Sequence, residues 1–249
     1  MRLSRQTGRL SRQPGFTLVE MSVVLVVVAL LLGSLLVPLS TQVDQRQGAE
    51  TELMLEDARE ALIGFAMVNG RLPRPAQSST NGAEKATGSC TGPNATINCT
   101  GFLPWATLGL PRFDGYGKQL RYSVAPLYAE SAITFSSSTA GHKTVKTRDG
   151  AGNPVNLVSG VPAVILSHGA NNFGFLESGS ELGNSSATNA DEAANDTKFK
   201  CAVAADCDNF MHRMRSANSS VTGGEFDDLV AWVPNTLLVN RLVAAGRLP

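Results

Sequence analysis

The chain is poor in the features that usually announce chemistry. Its three histidines, His142, His168 and His212, are scattered over 249 residues, and it has no G-x-S-x-G, no H-E-x-x-H and no phosphate-cradling Gly-Lys loop. The commonest hydrolase, zinc-protease and nucleotide-binding signatures are therefore missing. Ser167 and His168 are adjacent, but neighbours on a strand point to opposite faces, so they do not read as a nucleophile and its base. There is no basic run either. Residues 71–249 hold 15 basic and 14 acidic side chains, without the electrostatic footprint of a nucleic-acid binder. The first 15 residues contain no acid, and Glu20 is the sole charge from Phe16 to Val37.

That last absence leaves a run of 22 residues, which as a helix spans roughly 33 Å, the thickness of a bilayer's hydrocarbon core. Arg2, Arg5, Arg9 and Arg12 precede it, so the positive-inside bias keeps the N-terminus cytoplasmic and exports the rest of the chain. A secretory signal peptide is cut after its apolar core. Here the helix-breaking pair Pro14-Gly15 lies before the apolar run, and a cut there leaves the hydrophobic helix on the product.

The stretch "PGFTLVEMSVVLVVVALLL" resembles the class III leader of type IV pilins and type II secretion pseudopilins. The resemblance implies cleavage by a prepilin peptidase after Gly15, N-methylation of the new terminal residue Phe16, and a role for Glu20 in assembly. A carboxylate at the centre of a membrane helix costs about 2.5–3.5 kcal/mol and less near the interface. The family's use for it is pairing with the terminal amine of a neighbouring subunit. The alternative is that Glu20, four residues from the helix start, snorkels to the headgroups. The implied partners are the peptidase, other pilin or pseudopilin subunits, an inner-membrane assembly platform, and membrane lipid before assembly.

Composition agrees with an exported domain. The chain has 21 basic and 21 acidic residues; without the four leader arginines, 17 remain against 21, a charge of about −4. Cys90, Cys99, Cys201 and Cys207 form two local pairs in loop-like surroundings. In an oxidising periplasm these read as two disulfides, each worth about 2–3 kcal/mol by loop closure. A zinc site with His212 is the rival reading, but spacings of C-x8-C and C-x5-C are unlike zinc knuckles.

Past the membrane segment, Leu55, Ala58, Leu62 and Phe65 recur at helical spacing, while Glu52, Glu56 and Glu60 form an acidic stripe on roughly the opposite face. Gly33, Ser34 and Pro38 mark a point where the helix is expected to kink or melt, and Asn69-Gly70 with Pro73 should end it. The expected fold class is α+β: a pilin-like lollipop, with a long N-terminal helix packed on an antiparallel-sheet head with long loops. Its divisions are a leader at 1–15, a transmembrane and filament-core helix at 16–38, an amphipathic helix at 39–70 and a periplasmic or extracellular head at 71–249. Strand candidates lie at 119–124, 132–136, 143–147, 163–167 and 229–233. Residues 78–101 and 177–198 read as surface insertions. Asn235 is placed to cap a C-terminal helix with Leu238, Leu242 and Ala245 on one face and Gly246 as its stop.

Within the head, "DGYGK" at 114–118 resembles the pilin-like turn before a strand and reads as structural, with Trp105 and Tyr116 as core. The segments "ILSHGANNFG" and "GEFDDLVAW" are similar to those framing the calcium loop of major pseudopilins. That resemblance implies calcium held by Asp227 and Asp228 with loop carbonyls between Ser167 and Asn172. Where the family tends to carry a further acid, this chain has Asn171 and Asn172. The alternative is that the two aspartates solubilise a strand edge. The chain as a whole reads as a structural subunit, a minor pilin or pseudopilin, of the bacterial inner membrane and then a filament. The alternative is a membrane-anchored periplasmic binding module that does not polymerise.

Overall fold

A computed structural model describes residues 15–134, 143–200 and 207–248, those at 33–40 by backbone alone. Leader residues 1–14, His142 and Cys201 lie outside the described residues. The chain divides into two compact units at Gln45/Arg46.

Helix α1 (Leu18–Asn69) supplies most of the first unit. From Leu18 to Leu32 its side chains are exposed and, Glu20 and Ser22 apart, apolar on all sides, Leu18, Val19, Leu25 and Leu30 among them; Phe16, just before the helix, is 85% exposed. The backbone stays helical through residues 33–38, so the melt expected at Gly33, Ser34 and Pro38 is not there. Among the described residues no helix is long and apolar enough to cross a membrane. The side chains of 33–37, which complete the 22-residue run of the sequence, are outside that description.

In the second unit, the rest of α1 is amphipathic as expected. Leu55, Ala58 and Leu62 are buried together with Met54, Ile63 and Ala66, Phe65 is half-buried, and Glu52, Glu56 and Glu60 are exposed. Gly70, at φ +71°, ends the helix, because a left-handed residue costs glycine no Cβ clash.

Four strands follow the α+β pattern in one antiparallel sheet, ordered β1 (Thr100–Phe102), β2 (Arg121–Val124), β5 (Ala163–Ser167) and β7 (Leu229–Val233). A smaller sheet, ordered β4 (Pro154–Val161), β3 (Lys143–Arg148) and β6 (Asn209–Met211), is mixed, since β6 runs parallel to β3. Strand β5 is buried at all five positions because its two faces serve two cores. Ala163 and Ile165 pack with α1, α4 (Pro126–Glu130) and α6 (Asn235–Ala244). Val164 and Leu166 pack with Val145 and Val161 of the small sheet and with Phe199 and Phe210. Alternation with period 2 thus appears as a continuous apolar run.

Several expectations need correction. Residues 132–134 join no sheet; Ile133 is buried and donates its amide to Gly70 O at 2.8 Å, and 135–136 are outside the described residues. Residues 78–101 lie largely at the surface, as expected, but are pinned to the core. They contain the short helix α2 (Ala95–Asn98), and Cys90 and Cys99 are buried in the core and joined by a disulfide, Cα to Cα 5.1 Å. Residues 177–188 are likewise at the surface, but 190–198 form most of α5 (Ala190–Phe199), which buries one face. Pro234, not Asn235, occupies the cap of α6, and Asn235 instead accepts from the Tyr128 hydroxyl at 3.2 Å. Leu238 and Leu242 are buried, but Ala245 is exposed. Trp105, opening the short α3 (Trp105–Leu108), and Tyr116 are half-buried rather than central.

Candidate functional site

Gly15 and Phe16 precede the first turn of α1, and a Cβ at Gly15 would meet nothing within 4 Å. Thr17 is the residue before the helix. Its backbone amide and its hydroxyl donate to Glu20 Oε2 at 2.8 and 2.9 Å, and its Oγ1 accepts from the Glu20 amide at 3.2 Å. This is a capping box, which satisfies helix-end donors that otherwise lack a partner.

The second site is a buried polar centre at one end of the main sheet. It starts from the "DGYGK" turn. Asp114 Oδ1 accepts from the amides of Tyr116 and Lys118 at 3.0 and 2.9 Å, and Oδ2 accepts from the Ser167 hydroxyl at 2.6 Å. Burial raises the Asp114 pKa, and these donors oppose the rise. The turn sends the Lys118 side chain inward, where it is 2% exposed. Its Nζ donates to the carbonyl oxygens of His168, Asn171 and Asn172 at 3.1, 2.7 and 2.7 Å. Burial lowers the lysine's pKa, and Asp227, Asp114, Asp228 and Glu192 act against that.

The loop that offers those carbonyls presents its amides to the other side. Asp227 Oδ2 accepts from Ala170 and Asn171 at 2.9 and 2.8 Å. The Asp227 amide in turn donates to Glu192 Oε1 of α5 at 2.7 Å. Asp228 Oδ2 accepts from Asn195 Nδ2 at 2.8 Å, and Oδ1 lies 3.3 Å from His168 Nδ1. Burial, reinforced by Asp228 and Asp227, pushes Glu192 up to about 7, and burial also raises Asp228. His168 is held down to about 3, first by burial and then by Arg121. Ser167 and His168 therefore engage different partners, Asp114 and Asp228, and not each other.

The two expected ligands, Asp227 and Asp228, do converge, with Glu192 as a third: one oxygen of each lies within 4.8 Å of the others. They are not a strand-edge solubiliser, since both are buried. Calcium, however, requires six to eight oxygens. The loop carbonyls that would complete the shell are committed to Lys118, and Asp227 Oδ2 and Glu192 Oε1 are committed to backbone amides. Asp227 Oδ1 is the exception, buried without a donor among the described residues. An ammonium thus already stands at the carbonyl side of this donor set.

Lys118, Glu192 and Asn195 were not singled out by the sequence. The visible signal was the pair Asn171 and Asn172 in place of an acid, which leaves less negative charge and is matched here by a resident cation. Of the second predicted disulfide, Cys207 is disulfide-bonded, while Cys201 lies outside the described residues.

A family model described as the prokaryotic N-terminal methylation motif matches residues 10–36. No curated protein and no solved structure matches the chain. The matched stretch is a class III prepilin leader, consistent with a type IV pilin-like or pseudopilin precursor, and it suggests a structural subunit rather than an enzyme.

Proposed function

We propose that the chain, which opens with an N-terminal methylation motif, is a minor pilin or pseudopilin of a type IV pilus or type II secretion pseudopilus. Prepilin peptidase cuts it after Gly15, Phe16 is methylated, and the N-terminal helix holds it in the bacterial inner membrane with the head on the periplasmic side until assembly. One observation carries the reading: at the motif, the helix exposes apolar side chains on every face, from Phe16 to Leu32. A helix apolar all round is stable only when lipid or other helices surround it. A subunit that passes from membrane to filament core meets each in turn. Glu20 is the sole charge in that surface, and the cut creates a matching cation, the Phe16 amine, at nearly the same depth.

The test is deletion of the gene, scored for pilus assembly and twitching against exoprotein secretion, with recovery of the chain in sheared or cross-linked filaments. Loss of either process, with the chain present in filaments, supports the reading; normal filaments that never contain it overturn the reading. A membrane-anchored binding module that does not polymerise is the second reading. A groove of about 390 Å³ lined by Glu52, Glu56, His212, Arg213 and Arg215 favours it, since mixed charge around an apolar floor suits a polar ligand. A Glu20 variant that functions normally would select that alternative.

A further inference from the structure

We infer that Lys118 is a built-in cation: its ammonium holds the 168–174 loop in the way a bound divalent ion would, so the head is shaped without calcium. Three backbone carbonyls converge on one buried nitrogen, matching the three protons an ammonium has to give. Convergent carbonyls are the hallmark of a cation cradle, because each dipole presents its negative end to the same point.

The backbone bends to make that cradle. Asn172 and Phe173 both take positive φ, 37° and 42°, a region that side chains with a Cβ rarely adopt. Such strain persists only where the surroundings enforce it. Gly174, at φ +89°, opens the way for the lysine stem: a Cβ there would lie 2.8 Å from Lys118 Cδ. On the opposite side Asp227 clamps the amides of Ala170 and Asn171. The loop is therefore held between a cation on its carbonyl side and an anion on its amide side.

A tethered ammonium differs from a metal in one consequence. Stabilisation by a dissociable ion grows with its free concentration, as RT ln(1 + [L]/Kd), whereas a lysine is present at every concentration. The head's stability should not follow external calcium.

The experiment uses the full mature chain in detergent, melted in 5 mM calcium chloride and in excess EGTA, alongside Lys118→Met, which keeps the stem and removes the charge. The wild-type melting temperature should be the same in both. Lys118→Met should melt lower in EGTA and recover part of the loss in calcium, because three carbonyls and the carboxylates of Asp227, Asp228 and Glu192 are left without their cation. If Lys118→Met does not fold in EGTA, refolding yield replaces melting: folded protein obtained only with calcium supports the inference. A wild-type chain stabilised by calcium would overturn it. So would a Lys118→Met chain that melts like wild type, or one that is destabilised, or fails to refold, equally with and without the ion.

Discussion

Thr17 and Glu20 cap each other across the first turn of α1, with two hydrogen bonds to Glu20 Oε2 and one returned from the Glu20 amide. The proposed cut after Gly15 spares this arrangement, since Thr17 keeps an ordinary amide when Phe16 becomes the terminus. Glu20 thus has a local partner before any neighbour arrives, and that partner accounts for part of what an isolated carboxylate would cost in lipid. Its remaining lone pairs are open to the amine of a neighbouring subunit.

The local role of Glu20 and its proposed intermolecular one separate by mutation. Thr17→Val removes the hydroxyl and should cost about 1 kcal/mol of helix-end stability while leaving filament incorporation near normal. Glu20→Ala loses the same cap and also the charge, so it should insert in the membrane but be depleted from filaments. Quantifying both variants in sheared or cross-linked filaments checks this, and equal recovery of the two would reduce Glu20 to a helix cap.

Processing is expected to yield a chain beginning at N-methyl-Phe16 that retains its apolar helix. N-terminal mass spectrometry reads both the cut and the methyl group. Because a Cβ at Gly15 meets no atom within 4 Å, Gly15→Ala introduces no clash among the described residues. Any loss of cleavage in that variant therefore belongs to recognition by the peptidase, and unchanged cleavage after a different residue would move the processing site.

Non-reducing peptide mapping should recover Cys90 linked to Cys99 and Cys207 linked to Cys201. Replacing Cys90 and Cys99 together by serine should lower stability by about 2–3 kcal/mol, the loop-closure value for so short a loop, and more if the buried hydroxyls find no partner. Denaturant unfolding of the full chain measures it. Cross-linked peptides between the two pairs would contradict the assignment.

Much of the fold was legible because its signals are apolar. The buried stripe of α1 follows helical periodicity, and the strands at 163–167 and 229–233 are short apolar runs rich in β-branched residues. Helix α5 was not legible for a physical reason. Its buried positions, Asp191, Glu192, Asn195, Asp196 and Phe199, do have helical spacing, but four of the five are polar. Hydropathy sees a solvated loop where Glu192 and Asn195 are held by Asp227, Met211 and Asp228. Strand β4 escaped for the opposite reason: it is an edge strand exposed over most of its length, so burial left little mark on it. At the polar centre the aspartates were visible as a pair. Their counter-charge was not, since Lys118 lies about 110 residues away in sequence and only the fold brings it to the loop.

Acid should weaken the head through one carboxylate in particular. Glu130 at the end of α4 accepts both prongs of the buried Arg74 guanidinium, Nε and Nη2 each at 2.8 Å, and the amides of Cys90 and Gly88 at 2.7 and 2.8 Å. The arginine first, and then those amides against the opposing effect of burial, bring its pKa from 4.5 down to about 2. A carboxylate whose folded pKa is depressed contributes stability that is fully present above its unfolded value and lost as pH falls through the folded value. The window here is therefore about 4.5 down to 2. Glu130→Gln cannot carry the charge and leaves the buried Arg74 with Glu84, 3.6 Å away, as its remaining carboxylate, which should cost about 1–3 kcal/mol at neutral pH. The cost should shrink through that window as the wild-type carboxylate takes up its proton, so that the two unfolding curves approach one another near pH 2. Denaturant midpoints measured from pH 7 to pH 2 for both chains check the sign, and a difference that stays constant across the window would show that Arg74 gains nothing from the charge of Glu130.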